Sequence, residues 1–116
     1  MAKPTIEKTI EISYLYGFYA PMLTLKQQLF LDLYYNQDYS LSEIALQEGI
    51  TRQGVRDAIK RGESAMRELE QKLKFAARYR ELQRGLELVI QRVKALGPCA
   101  ADIVGDMAEL ARKLED

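Results

Sequence analysis

The chain has 116 residues with 17 Lys or Arg, 17 Asp or Glu and no histidine, so its formal charge is zero. Its 47% hydrophobic content supports a core on the scale of one domain and is far from that of a membrane protein. A lone cysteine, Cys99, and the missing imidazoles exclude an intramolecular disulfide, the usual nitrogen ligand of zinc, and Ser-His-Asp or Cys-His catalysis; no cofactor and no enzyme is expected, and a reducing cytoplasm is the expected location.

No stretch alternates with period two long enough to make a strand, whereas apolar residues three and four apart recur nearly everywhere, so the expected class is all-α. A first helix is predicted from about Pro4 to about Tyr19, with Ile6, Ile10, Tyr14 and Phe18 on its inner side and Pro21 as its stop. The aromatic cluster Tyr14, Tyr16, Phe18 and Tyr19 is expected to be core rather than a stacking surface for bases. Thr24 with Gln27 has capping-box spacing and opens a second helix carrying Leu29, Phe30, Leu33 and Tyr34 inward, broken by Asn36, Gln37 and Asp38. Ser40 with Glu43 repeats the box and opens a short third helix with Leu41, Ile44 and Ala45 buried, ending near Glu48.

Gly49 then supplies a residue tolerant of positive φ, Ile50 enters the core, and Thr51 caps a fourth helix. From Arg52 the helical pattern continues through Leu69, Leu73, Ala76, Leu86 and Val93 to Leu96, too long for an ordinary helix, so a bend or break is expected near Gly62 or Gly85. Gly97 and Pro98 end it, and a last helix is predicted from about Cys99 to Leu114. The division expected from this pattern is a helix-turn-helix domain over residues 1–75 and a helical C-terminal extension over 76–116.

Residues 40–61, SLSEIALQEGITRQGVRDAIKR, hold the parts of a helix-turn-helix in order: Ala45 at the crossing, Gly49 at the turn, and Ile50 and Val55 as core pins, with Ile44 and Ile59 completing the packing. Glu48 stands where many such motifs bury an apolar residue, which predicts a rotated or shortened first helix. The second helix would expose Arg52, Gln53, Arg56, Asp57, Lys60 and Arg61, with Arg52, Arg56 and Lys60 forming one basic stripe. Residues 51–80 hold nine bases against four acids, so a positive middle lies within a neutral chain.

The runs EKTIEISYLYGFYAPMLTLKQ, LDLYYNQDYSLSEIA and TRQGVRDAIKRGE resemble the YlxM family of small bacterial proteins, whose helix-turn-helix is similar to region 4 of sigma factors; the likeness covers residues 7 to about 75. That resemblance implies a DNA-binding regulatory protein linked to the signal recognition particle pathway, because family members are encoded beside the genes for that particle's protein and its receptor. Carried onto this chain, the nucleic-acid surface is Thr51, Arg52, Gln53, Arg56, Lys60 and Arg61. The chain departs from the family pattern at Gly17, Gly54 and Arg56, where an acid, an alanine and an aromatic are common.

The alternative function is an accessory factor that binds the particle's RNA or protein without reading DNA sequence. Carboxylate pairs such as Glu7 with Glu11, or Asp102 with Asp106, are read as solvent-facing charges. The apolar spacing along residues 66–96 and 103–114 exceeds what one hairpin hides, so a homodimer is expected, with Leu73, Leu86, Val89, Val93, Ile103, Met107 and Leu110 as contacts.

Overall fold

The computed structural model describes residues 3–115, and every regular element among them is helical. Helix α1 spans Ile6–Tyr19, α2 Leu25–Leu31, α3 Leu41–Glu48, α4 Arg52–Leu73, α5 Phe75–Lys94 and α6 Ala101–Glu115. Short 3-10 turns occupy Ala20–Met22 and Pro98–Ala100, and a π-turn extends α2 over Asp32–Asn36. Two compact units divide the chain, Met1–Ala76 and Ala77–Asp116.

Local chemistry sets most of the helix starts. Thr5 caps α1 by accepting from the Lys8 amide at 3.1 Å. Both predicted capping boxes form: Thr24 Oγ1 accepts from the Gln27 amide and Gln27 Oε1 from the Thr24 amide, each at 3.1 Å, and Ser40 and Glu43 reproduce the pair ahead of α3. In the wider π-turn at the end of α2 three consecutive side chains, Leu33, Tyr34 and Tyr35, are buried. Asp32 holds that turn through its carboxylate, which accepts from Asn36 and Gln37.

The core of the first unit is built around α4, whose Val55, Ile59 and Met66 are wholly buried among Ile12, Leu15 and Tyr19 of α1, Phe30 and Leu31 of α2, and Ile44 of α3. The aromatics of α1 belong to this packing, as expected. Tyr19 is buried, Tyr14 and Phe18 meet edge to face, and the Tyr16 hydroxyl donates to the Gln28 carbonyl at 3.2 Å. The inner face of α1 differs from the predicted one: Ile6 and Ile10 are 77% and 63% exposed, while Ile12, Leu15 and Tyr19 face the core. From Ile12 onward the helix is apolar on almost every side, so periodicity does not choose a face; the packing of α1 on α4 does. Leu29 is likewise turned outward at 40% exposure, and Leu31 takes the buried place.

Glu63 is the one buried charged side chain among the described residues, and it faces α1 and the π-turn from the middle of α4. Its carboxylate accepts from the Tyr35 hydroxyl and pairs with Lys8 Nζ at 3.5 Å and an Arg67 terminal nitrogen at 3.9 Å, while Arg67 also reaches Glu11 at 3.6 Å. A carboxylate out of water is tolerated when charge and hydrogen bonds surround it in this way.

The long helical pattern breaks at Lys74, and neither Gly62 nor Gly85 interrupts a helix. Lys74 adopts φ 57°, a left-handed conformation that L side chains rarely take, and its amide closes α4 on the Glu70 carbonyl at 2.8 Å. The first amides of α5 are met by side chains of the core: Phe75 N–H donates to the Tyr19 hydroxyl at 3.2 Å and Ala76 N–H to Glu70 Oε1 at 3.0 Å, while the Tyr19 hydroxyl donates to Glu70. The Phe75 ring stacks on Tyr19 with centroids 6.0 Å apart. Gly62 instead serves close packing, since a Cβ there would lie 2.7 Å from Leu31 Cδ1.

Gly62→Val is expected to destabilise the first unit by about 2 kcal/mol or more through overpacking. Gly17→Ala, in the middle of α1 with nothing within 4 Å of the added carbon, is expected to stabilise it by about 0.5 to 1 kcal/mol. Urea denaturation of the two variants checks both signs.

Burial raises the pKa values of Tyr16, Tyr19, Tyr34 and Tyr35, and the neighbouring carboxylates Asp32, Glu70 and Glu63 add to it. A folded state that holds these protons more tightly than the unfolded chain keeps that stability below the unfolded tyrosine value of about 10 and loses it as pH rises further. Denaturation midpoints should therefore hold up to about pH 9 and fall above about 10, and Tyr35→Phe should lower stability at neutral pH while making the alkaline fall shallower.

Candidate nucleic-acid interface

The helix-turn-helix is assembled by short-range chemistry. Gly49 takes φ 67°, and the Ile50 amide reaches back to the Ala45 carbonyl at 3.1 Å, the six-to-one bond that closes a helix over a left-handed residue. Glu48 is half-buried at the last position of a full eight-residue α3, so the rotated or shortened helix expected from its charge does not occur. Its stem lines an apolar groove with Leu25, Leu29, Phe30 and Ile50, where a long side chain can lie flat and keep its carboxylate wet.

Thr51 then reverses the chain direction and caps α4, accepting from the Gly54 amide at 3.0 Å. A Cβ on Gly54 would stand 3.2 Å from that same Thr51 oxygen, so the glycine leaves room for the cap. Val55 and Ile59, wholly buried one turn apart, fix the rotation of α4 about its axis.

The rotation decides what faces outward. Thr51, Arg52, Gln53, Lys60 and Arg61 are exposed, whereas Arg56 and Asp57 are half-buried. Arg56 therefore departs from the predicted open stripe: its Nε is shielded from solvent and has no hydrogen-bond partner. Gln53 Nε2 donates to Asp57 Oδ1 at 2.9 Å, which holds both side chains along the helix. Among the described residues Arg52, Arg56, Lys60 and Arg61 take part in no ion pair, and the first turn of α4 carries no acid to offset them. Free cations beside a positive helix start make this the part of the first unit best suited to an anion.

Tertiary structure adds groups that sequence spacing does not reveal. One groove beside α4 brings Lys3, Ser40 and Ser42 next to Arg52, and the groove on its other flank brings Thr24 and Lys26 next to Gly54 and Arg61. Lys26 is exposed and extends the basic surface on one side of the helix, whereas in the groove on the other side Lys3 pairs with Asp38 at 3.9 Å. The only sequence hint is the place of Lys26 within the first turn of α2, between the two residues of its capping box. Among the described residues no three metal-ligating side chains converge, and no helix is long and apolar enough to cross a membrane.

The remaining predicted positions lie elsewhere. Leu73 packs against the core of the first unit. Within the second unit, Leu86, Val93 and Met107 are half-buried, and Val89, Ile103 and Leu110 are exposed.

Residues 6–96 match the family model UPF0122, described as "Putative helix-turn-helix protein, YlxM / p13 like". A UPF0122 protein of Geobacillus kaustophilus is 37% identical over 111 residues, covering 96% of this chain and 97% of the relative. UPF0122 proteins of Anoxybacillus flavithermus and Lacticaseibacillus casei are 47% and 39% identical, covering 68% and 80% of this chain and 76% and 82% of their own lengths.

Thr51→Ala should lower stability by about 1 kcal/mol through loss of the cap, and Thr51→Ser should stay within a few tenths of the parent. Thermal unfolding followed by circular dichroism measures the difference.

Proposed function

The chain belongs to the UPF0122 family of YlxM/p13-like helix-turn-helix proteins, and from that premise we propose that it is a regulatory protein that lays the first turns of α4 in the major groove of duplex DNA. The observation that carries this reading is the state of Arg52, Lys60 and Arg61. They remain in solvent without an ion-pair partner among the described residues, on a helix locked from behind by Val55 and Ile59. Arg52 and Gln53, in the first turn, reach base edges, where a guanidinium suits guanine and an amide suits adenine; Gln53 must first leave Asp57. Thr51, Lys60 and Arg61 meet phosphate, helped by Lys26 beside Arg61. Arg56 adds charge rather than a free fork.

The same face fits a second partner class, the RNA or protein of the signal recognition particle, in the targeting pathway that the family resemblance implies. The balance of 17 bases against 17 acids favours it, since freestanding duplex binders tend to be basic overall. Competition among duplex DNA, that RNA and that protein for one labelled sample separates the two readings: displacement by duplex alone supports the first.

Three free cations flanked by Lys26 should give a duplex affinity that falls with salt at a log–log slope of about −3 to −4. Arg52→Ala or Gln53→Ala should cost about 1 to 3 kcal/mol at particular base pairs, and Lys60→Ala should weaken all duplexes alike and reduce the slope by about 1. Fluorescence anisotropy over a salt series reads all three; equal, salt-insensitive binding of every duplex would overturn the reading.

A further inference from the structure

The second unit has almost nothing inside it. Between Ala77 and Asp116 the one buried side chain among the described residues is Ala100. A helical segment of about 40 residues with a single buried methyl group has no core to hold it, and chains of that size fold when a partner completes one.

The missing surface is laid out in order. Leu82 and Val89 on α5, and Leu96 just past its end, recur at seven-residue steps and are 61%, 47% and 68% exposed, with Leu88 a further exposed leucine at 59%; on α6, Ile103 and Leu110 are seven apart and Leu114 follows one turn on, at 55%, 57% and 40% exposed. The half-buried positions Leu86, Ile90 and Val93 on α5, and Val104, Met107 and Ala111 on α6, form a different set. Scattered exposed apolar residues need no explanation, but exposed apolar residues seven apart on each of two consecutive helices are the pattern of a helix seam that a further helix closes.

Charge identifies the occupant. Helix α5 holds five bases (Arg78, Arg80, Arg84, Arg92, Lys94) against two acids, a net of +3, and α6 holds four acids (Asp102, Asp106, Glu109, Glu115) against two bases, a net of −2. A two-fold interface needs one surface that complements itself. Here a basic helix and an acidic helix with matching apolar repeats lie in the same chain. We infer that a second copy of this chain covers the seam, α5 of each protomer lying along α6 of the other, so that the two helix pairs close a four-helix bundle. The inference stands on the second unit alone. With the nucleic-acid reading, it gives the assembly two recognition helices.

Sedimentation equilibrium of the full chain at micromolar concentration, without nucleic acid, tests it. The expected species has the mass of two 13.3 kDa chains, and Val89→Glu with Leu110→Glu reduces it to one. Both residues are exposed, so the thermal unfolding of the first unit should survive this change. Arg84→Glu with Arg92→Glu, and separately Asp102→Arg with Asp106→Arg, should each weaken self-association about tenfold or more, and mixing the two variants should restore a dimer. A parent chain that stays monomeric, a dimer that survives Val89→Glu with Leu110→Glu, or charge variants that dimerise equally alone and mixed would each overturn the inference. A dimer that binds no duplex in the anisotropy titration would overturn the DNA reading instead and leave this inference standing.

Discussion

Everything in the first unit depends on how α4 is held. One uninterrupted helix of 22 residues does two jobs along its length: its first turns carry the free cations, and the stretch from Val55 to Met66 is gripped by α1, α2 and α3. Because the same backbone runs through both, the anchoring of the far half fixes the direction and rotation of the near half. Cations displayed on a loop would need support of their own. Here the core supplies it, and the cations need no internal partners to stay in place.

The grip is polar as well as apolar. Glu63 reaches the π-turn through Tyr35 and reaches α1 through Lys8, and Arg67 adds a second link to Glu11. An apolar contact tolerates small sliding, whereas a buried carboxylate with several partners is satisfied in one arrangement, so the polar seam sets the register of α1 against α4. Tyr19 and Glu70 end that seam and cap the next helix through Phe75 and Ala76. Where the first unit stops is thus set by the same side chains that align its helices.

Features made by residues close in sequence were legible in advance. The capping boxes at Thr24 and Ser40, the left-handed Gly49, the Thr51 cap and the buried trio of α3 all follow from chemistry within a few positions. Features decided at long range were not. The inner face of α1 was ambiguous because both sides of that helix are apolar, and α4 chose Ile12 and Leu15 over Ile6 and Ile10. The break at Lys74 carries no glycine or proline; the Tyr19 hydroxyl, more than fifty residues away, supports it by accepting from the Phe75 amide and donating to Glu70. Gly62 looked like a weak point and is a contact point for Leu31. Within the candidate site, the exposure of Arg52, Lys60 and Arg61 followed from helical spacing, but the partial burial of Arg56 and the arrival of Lys3 and Lys26 on the flanks depended on how the helices pack.

Amide chemical-shift mapping during titration with a short duplex is the sharpest test of the outward face of α4 as a nucleic-acid surface. Perturbations concentrated from Gly49 to Arg61 are expected, with smaller ones near Lys26 and none of note on the inner residues of α1. Shifts confined to α5 and α6, with the α4 amides unmoved at saturation, would contradict it.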